Sequence, residues 1–124
     1  MSITGVQLFS VPVSDQDKAL EFYVDKLGFE LILDRDLGGR RWLQVAPKGS
    51  TTSIVLVTWY PSLVPGSVRG LMLLTSDIDA DCARLSAAGV PVDGPQDLPW
   101  GRQADITDPD GNIIGLTTPP PAWN

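Results

Sequence analysis

Val13-Ser14-Asp15-Gln16-Asp17, closed eleven residues later by Gly28, and Thr75-Ser76-Asp77-Ile78-Asp79, closed ten residues later by Gly89, are two copies of one pattern. The Ser-Asp-x-Asp start recurs 62 positions on, half the length of a 124-residue chain. Each copy follows an apolar, strand-like run and leads into another. A repeat of this kind predicts one supersecondary unit used twice. In each copy a short polar side chain, Ser14 or Asp15 and then Ser76 or Asp77, caps a helix, with acidic residues at the positive end of its dipole. Gly28 and Gly89 supply the left-handed stop.

The runs on either side give each unit its order. Ile3 to Val13 is rich in β-branched and aromatic residues and reads as a strand, with Pro12 marking an exit or an edge. Ala19, Leu20, Phe22, Tyr23 and Leu27 fall at helical spacing. Phe29 to Leu33, Arg41 to Ala46 and Thr52 to Trp59 read as strands, separated by turns at Gly38-Gly39 and at Pro47-Lys48-Gly49-Ser50. Residues 61–68 form a linker rich in Pro and Gly. Gly70 to Thr75 reopens the pattern, and Ile78, Cys82, Leu85 and Ala88 form a second helical stripe. Val90 to Val92 reads as a short strand, followed by a loop rich in Gly, Pro and Asp. Gln103 to Thr107 and Asn112 to Thr118 read as strands joined by the turn Asp108-Pro109-Asp110-Gly111. The expected fold class is α+β: two tandem βαβββ units forming a curved mixed sheet around a cleft. It makes a single domain over residues 1–124, with unit one at about 1–60, unit two at about 69–119 and a stiff tail at 120–124.

Composition removes several chemistries. The chain has no histidine, and so lacks the commonest metal ligand, the commonest general base and any Ser-His or Cys-His pair. A single cysteine, Cys82, on the second helical stripe, makes neither an internal disulfide nor a thiolate cluster, which fits a cytoplasmic protein. A net charge of −6 without a basic stripe argues against nucleic acid, and no apolar run has the length of a membrane span.

Two βαβββ units of this length, joined at mid-chain, with Asp108-Pro109-Asp110-Gly111-Asn112 before the last strand, resemble the vicinal oxygen chelate superfamily. That superfamily includes glyoxalase I, extradiol dioxygenases, fosfomycin-modifying enzymes and bleomycin-resistance binding proteins. Leu20-Glu21-Phe22-Tyr23 followed by Leu27-Gly28-Phe29 looks like its first helix and exit, and Pro99-Trp100-Gly101-Arg102 like its last loop. The resemblance implies four strand positions for a divalent metal, falling at Leu8, Val55, Gly70 and Gly115. None of these side chains ligates a metal. No metal and no cofactor are therefore expected, and binding is favoured over turnover. The resemblance also implies a homodimer.

Alternation places Ser53, Val57 and Trp59 on the face of Val55, Met72 and Leu74 on that of Gly70, and Ile113 and Thr117 on that of Gly115. This predicts a mostly apolar surface that either lines a ligand pocket or closes on itself. Trp59, Tyr60 and Trp100 are candidates for a pocket mouth, where they would stack on an aromatic ligand, or for ordinary packing. Trp42 is read as core or dimer interface, and Trp123 as docking on a partner subunit. Arg41 and Arg102 are candidates to orient a ligand oxygen, against the default of surface arginine. Two functions follow. One is metal-independent binding of a hydrophobic or aromatic small molecule, as in drug sequestration and resistance. The other is a metal-independent isomerase, lyase or hydrolase with a carboxylate base, Asp105 or Glu30, and an arginine partner.

Overall fold

A computed structural model of the chain describes residues 1–119; the tail and Trp123 lie outside the described residues. The chain divides into two compact units, Met1–Pro65 and Gly66 onward. In unit 1 the order is β1 (Leu8–Pro12), α1 (Gln16–Leu20) continued by a π-helical stretch (Glu21–Lys26), β2 (Glu30–Leu37), β3 (Arg40–Ala46) and β4 (Ser53–Val57). In unit 2 it is β5 (Leu71–Leu74), α2 (Ile78–Ala87), β6 (Val92–Leu98), β7 (Gly101–Thr107) and β8 (Ile113–Thr118). Each unit is one four-stranded mixed sheet with its helix, in the orders β1-β4-β3-β2 and β5-β8-β7-β6. The first strand pairs parallel with the fourth, and the other pairings are antiparallel.

The helix starts form as their side chains dictate. Asp15 accepts from the Lys18 N–H and Asp77 from the Ala80 N–H, so the aspartates, not the serines, are the caps. Gly28 at φ 80° and Gly89 at φ 84° turn the chain out of the helices. Past Leu20 the first helix widens to i→i+5 bonding, with the Leu27 N–H donating to the Phe22 carbonyl.

One face of each sheet packs on its helix. In unit 1, Val11, Leu43, Val45, Ile54 and Leu56 alternate inward on the face that α1 covers. Phe22 and Tyr23 meet edge to face at 5.0 Å, and Phe29 lies 5.9 Å beyond Tyr23. In unit 2, Ala104, Ile106, Ile114 and Leu116 share the core with Ile78, Cys82 and Leu85, whereas Ala88 is exposed at the helix end. Full burial of a side chain such as Leu43 or Leu85 contributes about 1.5–3 kcal/mol.

Three strand expectations change. The strand read as Phe29 to Leu33 runs from Glu30 through Leu37, up to the Gly38-Gly39 turn. The first strand begins at Leu8, and Met1 to Gln7 stay exposed and outside regular structure, although the Gln7 carbonyl accepts from the Ser53 N–H. The segment read as a Gly-, Pro- and Asp-rich loop is β6. It pairs with β7 on both sides of a register break between Asp93 and Gln96 that takes up Gly94 and Pro95. A bulge on an outer strand of the sheet accommodates the proline, which lacks the ladder's N–H.

The turn before β8 is built from its own side chains. Asp108 Oδ1 accepts from the Asp110 and Asn112 N–H groups, and Asp108 Oδ2 accepts from the Asn112 side-chain amide. Asn112, fully buried, accepts in turn from the Val68 N–H at 3.0 Å. The turn thus ties the end of the linker to unit 2.

Candidate functional site

Strand pairing divides the side chains of each sheet between a helix-covered face and a helix-free face. In unit 1 the pairs Leu8↔Ser53, Ser10↔Val55 and Pro12↔Val57, and then Gln44↔Val55, put these residues on one face. Trp42 and Arg40 follow on β3 by alternation. Leu56 belongs to the opposite face, since the Gln16 side chain of α1 reaches the Leu56 and Arg41 carbonyls from that side. Leu8, Ser53, Val55 and Val57 are therefore brought together on the helix-free face. Trp59 and Tyr60 extend it just past β4. Trp59 stacks on Trp42 with ring centroids 6.2 Å apart and planes 23° from parallel. Tyr60 lies 6.1 Å from Trp59, and the Arg40 guanidinium sits 5.9 Å above the Trp59 ring. The Trp42 indole N–H donates to Gln44 Oε1 at 2.9 Å. This part-exposed aromatic group offers a stacking surface that a flat ring can meet.

In unit 2 the pairs Met72↔Gly115 and Asp105↔Gly115, with Gln103↔Thr117 and Leu74↔Thr117, define the helix-free face. Ile113 lies on it by alternation, and Gly70 immediately precedes β5. The Trp100 indole N–H donates to Gln103 Oε1 at 2.6 Å, and Gln103 Nε2 donates to Asp105 Oδ1 at 3.1 Å. A pocket of ≈ 230 Å³ is lined by Asp93, Asp105, Thr107 and Ile113 together with Pro91 and Val92.

Of the two glycines at the expected ligand positions, Gly115 does not leave free volume. A Cβ at Gly115 would collide with the Met72 sulfur, so the Met72 thioether already fills that space. Gly70 is required for its backbone, at φ 85°, with nothing packed against it.

Arg41 and Arg102 lie on the helix-covered faces and not with the candidates above. Arg41 donates to both carboxylate oxygens of Asp34 at 2.9 Å and to Asp17 at 2.7 Å. Arg102 donates to Asp79 at 2.8 Å and to Asp97 at 3.1 Å. Asp17 and Asp79 are the repeated acids of the two helix starts, so each arginine ties its helix to its sheet. Hydrogen bonding to Arg41 holds the Asp34 carboxyl below its ordinary range, and Arg102 does the same for Asp79. Both guanidinium groups are shifted upward by the same bonds and stay charged. The arginine and carboxylate of a base-catalysed reaction are not assembled from Arg41 or Arg102 on either helix-free face. Cys82 sits in the α2 core, where burial pushes its thiol up, away from nucleophile chemistry.

A divalent metal does not fit the four positions that the resemblance implies. Leu8, Val55, Gly70 and Gly115 carry no donor atom, and among the described residues no three His, Cys, Asp or Glu side chains form a group able to hold a metal ion. Trp42, Arg40 and Gln44 belong to the aromatic group but were not singled out from sequence as ligand candidates. The available signal was the antiparallel neighbour of Val55, which alternation links to Trp42.

Residues 5–116 match the family model described as the Glyoxalase/Bleomycin resistance protein/Dioxygenase superfamily. The chain is 62% identical, with a TM-score of 0.94, to TnmS3, an antibiotic binding protein from Streptomyces sp. CB03234, over 97% of this chain and 99% of that one. A member of the same superfamily from Sphaerobacter thermophilus DSM 20745 is 39% identical with a TM-score of 0.88, over 94% of this chain and 98% of that one. YetH of Bacillus subtilis (strain 168) is 34% identical over 92% of this chain and 98% of its own length.

Proposed function

Because the chain belongs to the Glyoxalase/Bleomycin resistance protein/Dioxygenase superfamily, we propose that it is a metal-independent binding protein for a hydrophobic or aromatic small molecule. Antibiotic sequestration, in a cytoplasmic homodimer, is the role that fits best. The observation that carries this reading is the group of Trp42, Trp59, Tyr60 and Arg40 on the helix-free face of unit 1. Stacked indoles with a cation above them suit a flat ring, and the residues at the expected metal positions supply no Lewis acid. The likeness to TnmS3, itself an antibiotic binding protein, supports the same assignment. Leu8, Val55 and Val57, with the Ser53 hydroxyl beside them, are the floor of this site in unit 1. Gly70, Met72, Ile113, Gly115, Thr117 and Trp100 are the corresponding ligand-binding candidates in unit 2. Among the four tryptophans, Trp42 and Trp59 are the reporters of binding.

The test is a titration of a panel of aromatic antibiotics followed by tryptophan fluorescence and by calorimetry. Saturable quenching with micromolar or tighter affinity for at least one class is expected. A flat response across the panel, by both methods, would sink the proposal.

A further inference from the structure

Trp42 and Gln44 carry a constraint that sharpens the proposed ligand. An indole N–H only donates, so the Gln44 atom 2.9 Å from Trp42 Nε1 must be the carboxamide oxygen. The amide's NH₂ end is thereby forced to point the other way. Gln103 in unit 2 is held in the same manner by Trp100, but its NH₂ is taken by Asp105 at 3.1 Å. The Gln44 NH₂ has no such partner among the described residues. Gln44 is half-buried, lies opposite Val55 on the helix-free face, and is tied directly to the tryptophan that stacks on Trp59. A donor whose direction is fixed before any ligand arrives, beside an aromatic platform, discriminates between ligands that do and do not present an acceptor.

From this we infer that Gln44 is a specificity-determining residue, donating through Nε2 to a carbonyl or similar acceptor oxygen attached to the ring system of a flat aromatic ligand. The inference rests on the aromatic-binding reading above and adds to it the polar group the ligand must carry. Trp42 then has two roles, supplying a stacking surface and fixing the direction of the amide.

The probes are 9-fluorenone and fluorene, planar tricyclic molecules of nearly the same size that differ by one carbonyl. A single neutral hydrogen bond predicts that the wild-type protein binds fluorenone about three- to tenfold more tightly than fluorene. In Gln44→Glu the carboxylate still accepts from Trp42 but has no NH₂ to donate. In Gln44→Met a side chain of similar length has neither group. Both variants should bring the ratio of the two dissociation constants, read within each variant, to about one or below it. Thermal unfolding and circular dichroism confirm that each variant is folded, and a purely structural role for Gln44 would lower both affinities together. A preference for fluorenone that survives in both variants, or equal binding of the two probes by the wild-type protein, would overturn the Gln44 assignment and leave aromatic binding standing. Failure of the wild-type protein to bind either probe up to its solubility limit would overturn both.

Discussion

Trp59 is the side chain around which the aromatic group of unit 1 is arranged, with Trp42 at 6.2 Å, Tyr60 at 6.1 Å and the Arg40 guanidinium at 5.9 Å. Removing its indole takes away both a stacking surface and the partner that holds Trp42. Trp59→Ala should therefore weaken binding of an aromatic ligand by about 1–2 kcal/mol, roughly tenfold in Kd, as read by calorimetry. A variant with unchanged affinity would place the site elsewhere. Arg41 belongs to the opposite face, and its contribution is to stability. Asp34, lowered by hydrogen bonding to Arg41, stabilises the fold above the ordinary aspartate pKa near ~3.9. That contribution is lost as pH falls through the lowered folded-state value. Both partners are about one-third exposed, at 32% and 31%, so solvent screening leaves about 1 kcal/mol. Urea unfolding of Arg41→Met should show that deficit at pH 7 and progressively less of it as pH falls below the ordinary aspartate value. Parallel curves for variant and wild type across that range would mean that Arg41 does not hold Asp34.

At the scale of elements, the capped helix starts and their glycine stops were legible because each step is local: an aspartate, a run of helical spacing, a glycine at positive φ. Gly28 shows how little else the position asks for. No atom lies within 4 Å of where its Cβ would be, so the requirement is the backbone angle of 80° alone. Gly28→Ala should cost about 1–2 kcal/mol in urea unfolding, while Gly5→Ala, in the exposed segment ahead of β1, should fall within about 0.5 kcal/mol. Equal effects would mean that the helix tolerates another exit. The strand faces were harder to read, because a slip of one residue in register moves a side chain to the other side of a sheet. Alternation placed Ser53 and Val57 with Val55, the resemblance supplied Leu8, and the parallel pairing of β1 with β4 brings Leu8 beside Ser53. Alternation did not place Arg41, whose face follows from the pairing of β3 with β4, nor Trp42, whose flanking residues Arg41 and Leu43 say nothing about the strand beside it. β6 was hidden for another reason: Gly94 and Pro95 are loop residues by composition, and only its partner β7 shows that they occupy a bulge.

At the scale of the whole molecule, the repeat separates what is structural from what is functional. The tie from arginine to helix recurs at equivalent places, Asp17–Arg41 and Asp79–Arg102, as expected of a feature that each unit needs in order to fold, while the strand carboxylate shifts from Asp34, opposite Leu43, to Asp97, opposite Arg102 itself. The helix-free faces diverge. Gln44 opposite Val55 corresponds to Asp105 opposite Gly115, and Trp42 corresponds to Gln103. A change from an amide and an indole to a carboxylate and an amide on the helix-free face is the pattern expected where a ligand, not the fold, sets the residues. A protein that acts by holding its ligand protects in proportion to its own amount, whereas an enzyme continues to act after one equivalent is exhausted. Mixing an aromatic antibiotic with increasing protein should therefore lower the free drug linearly to an end point at a fixed molar ratio. Denaturing the complex should then return the drug with its mass unchanged. The ligand should also raise the unfolding free energy by about 2.7 kcal/mol when present at a hundred times Kd. Continued loss of the drug beyond one equivalent per site, or recovery of a product of altered mass, would replace sequestration with catalysis, and the opposed carboxylates on the helix-free face of unit 2, Asp105 and Asp93, would become the first residues to substitute.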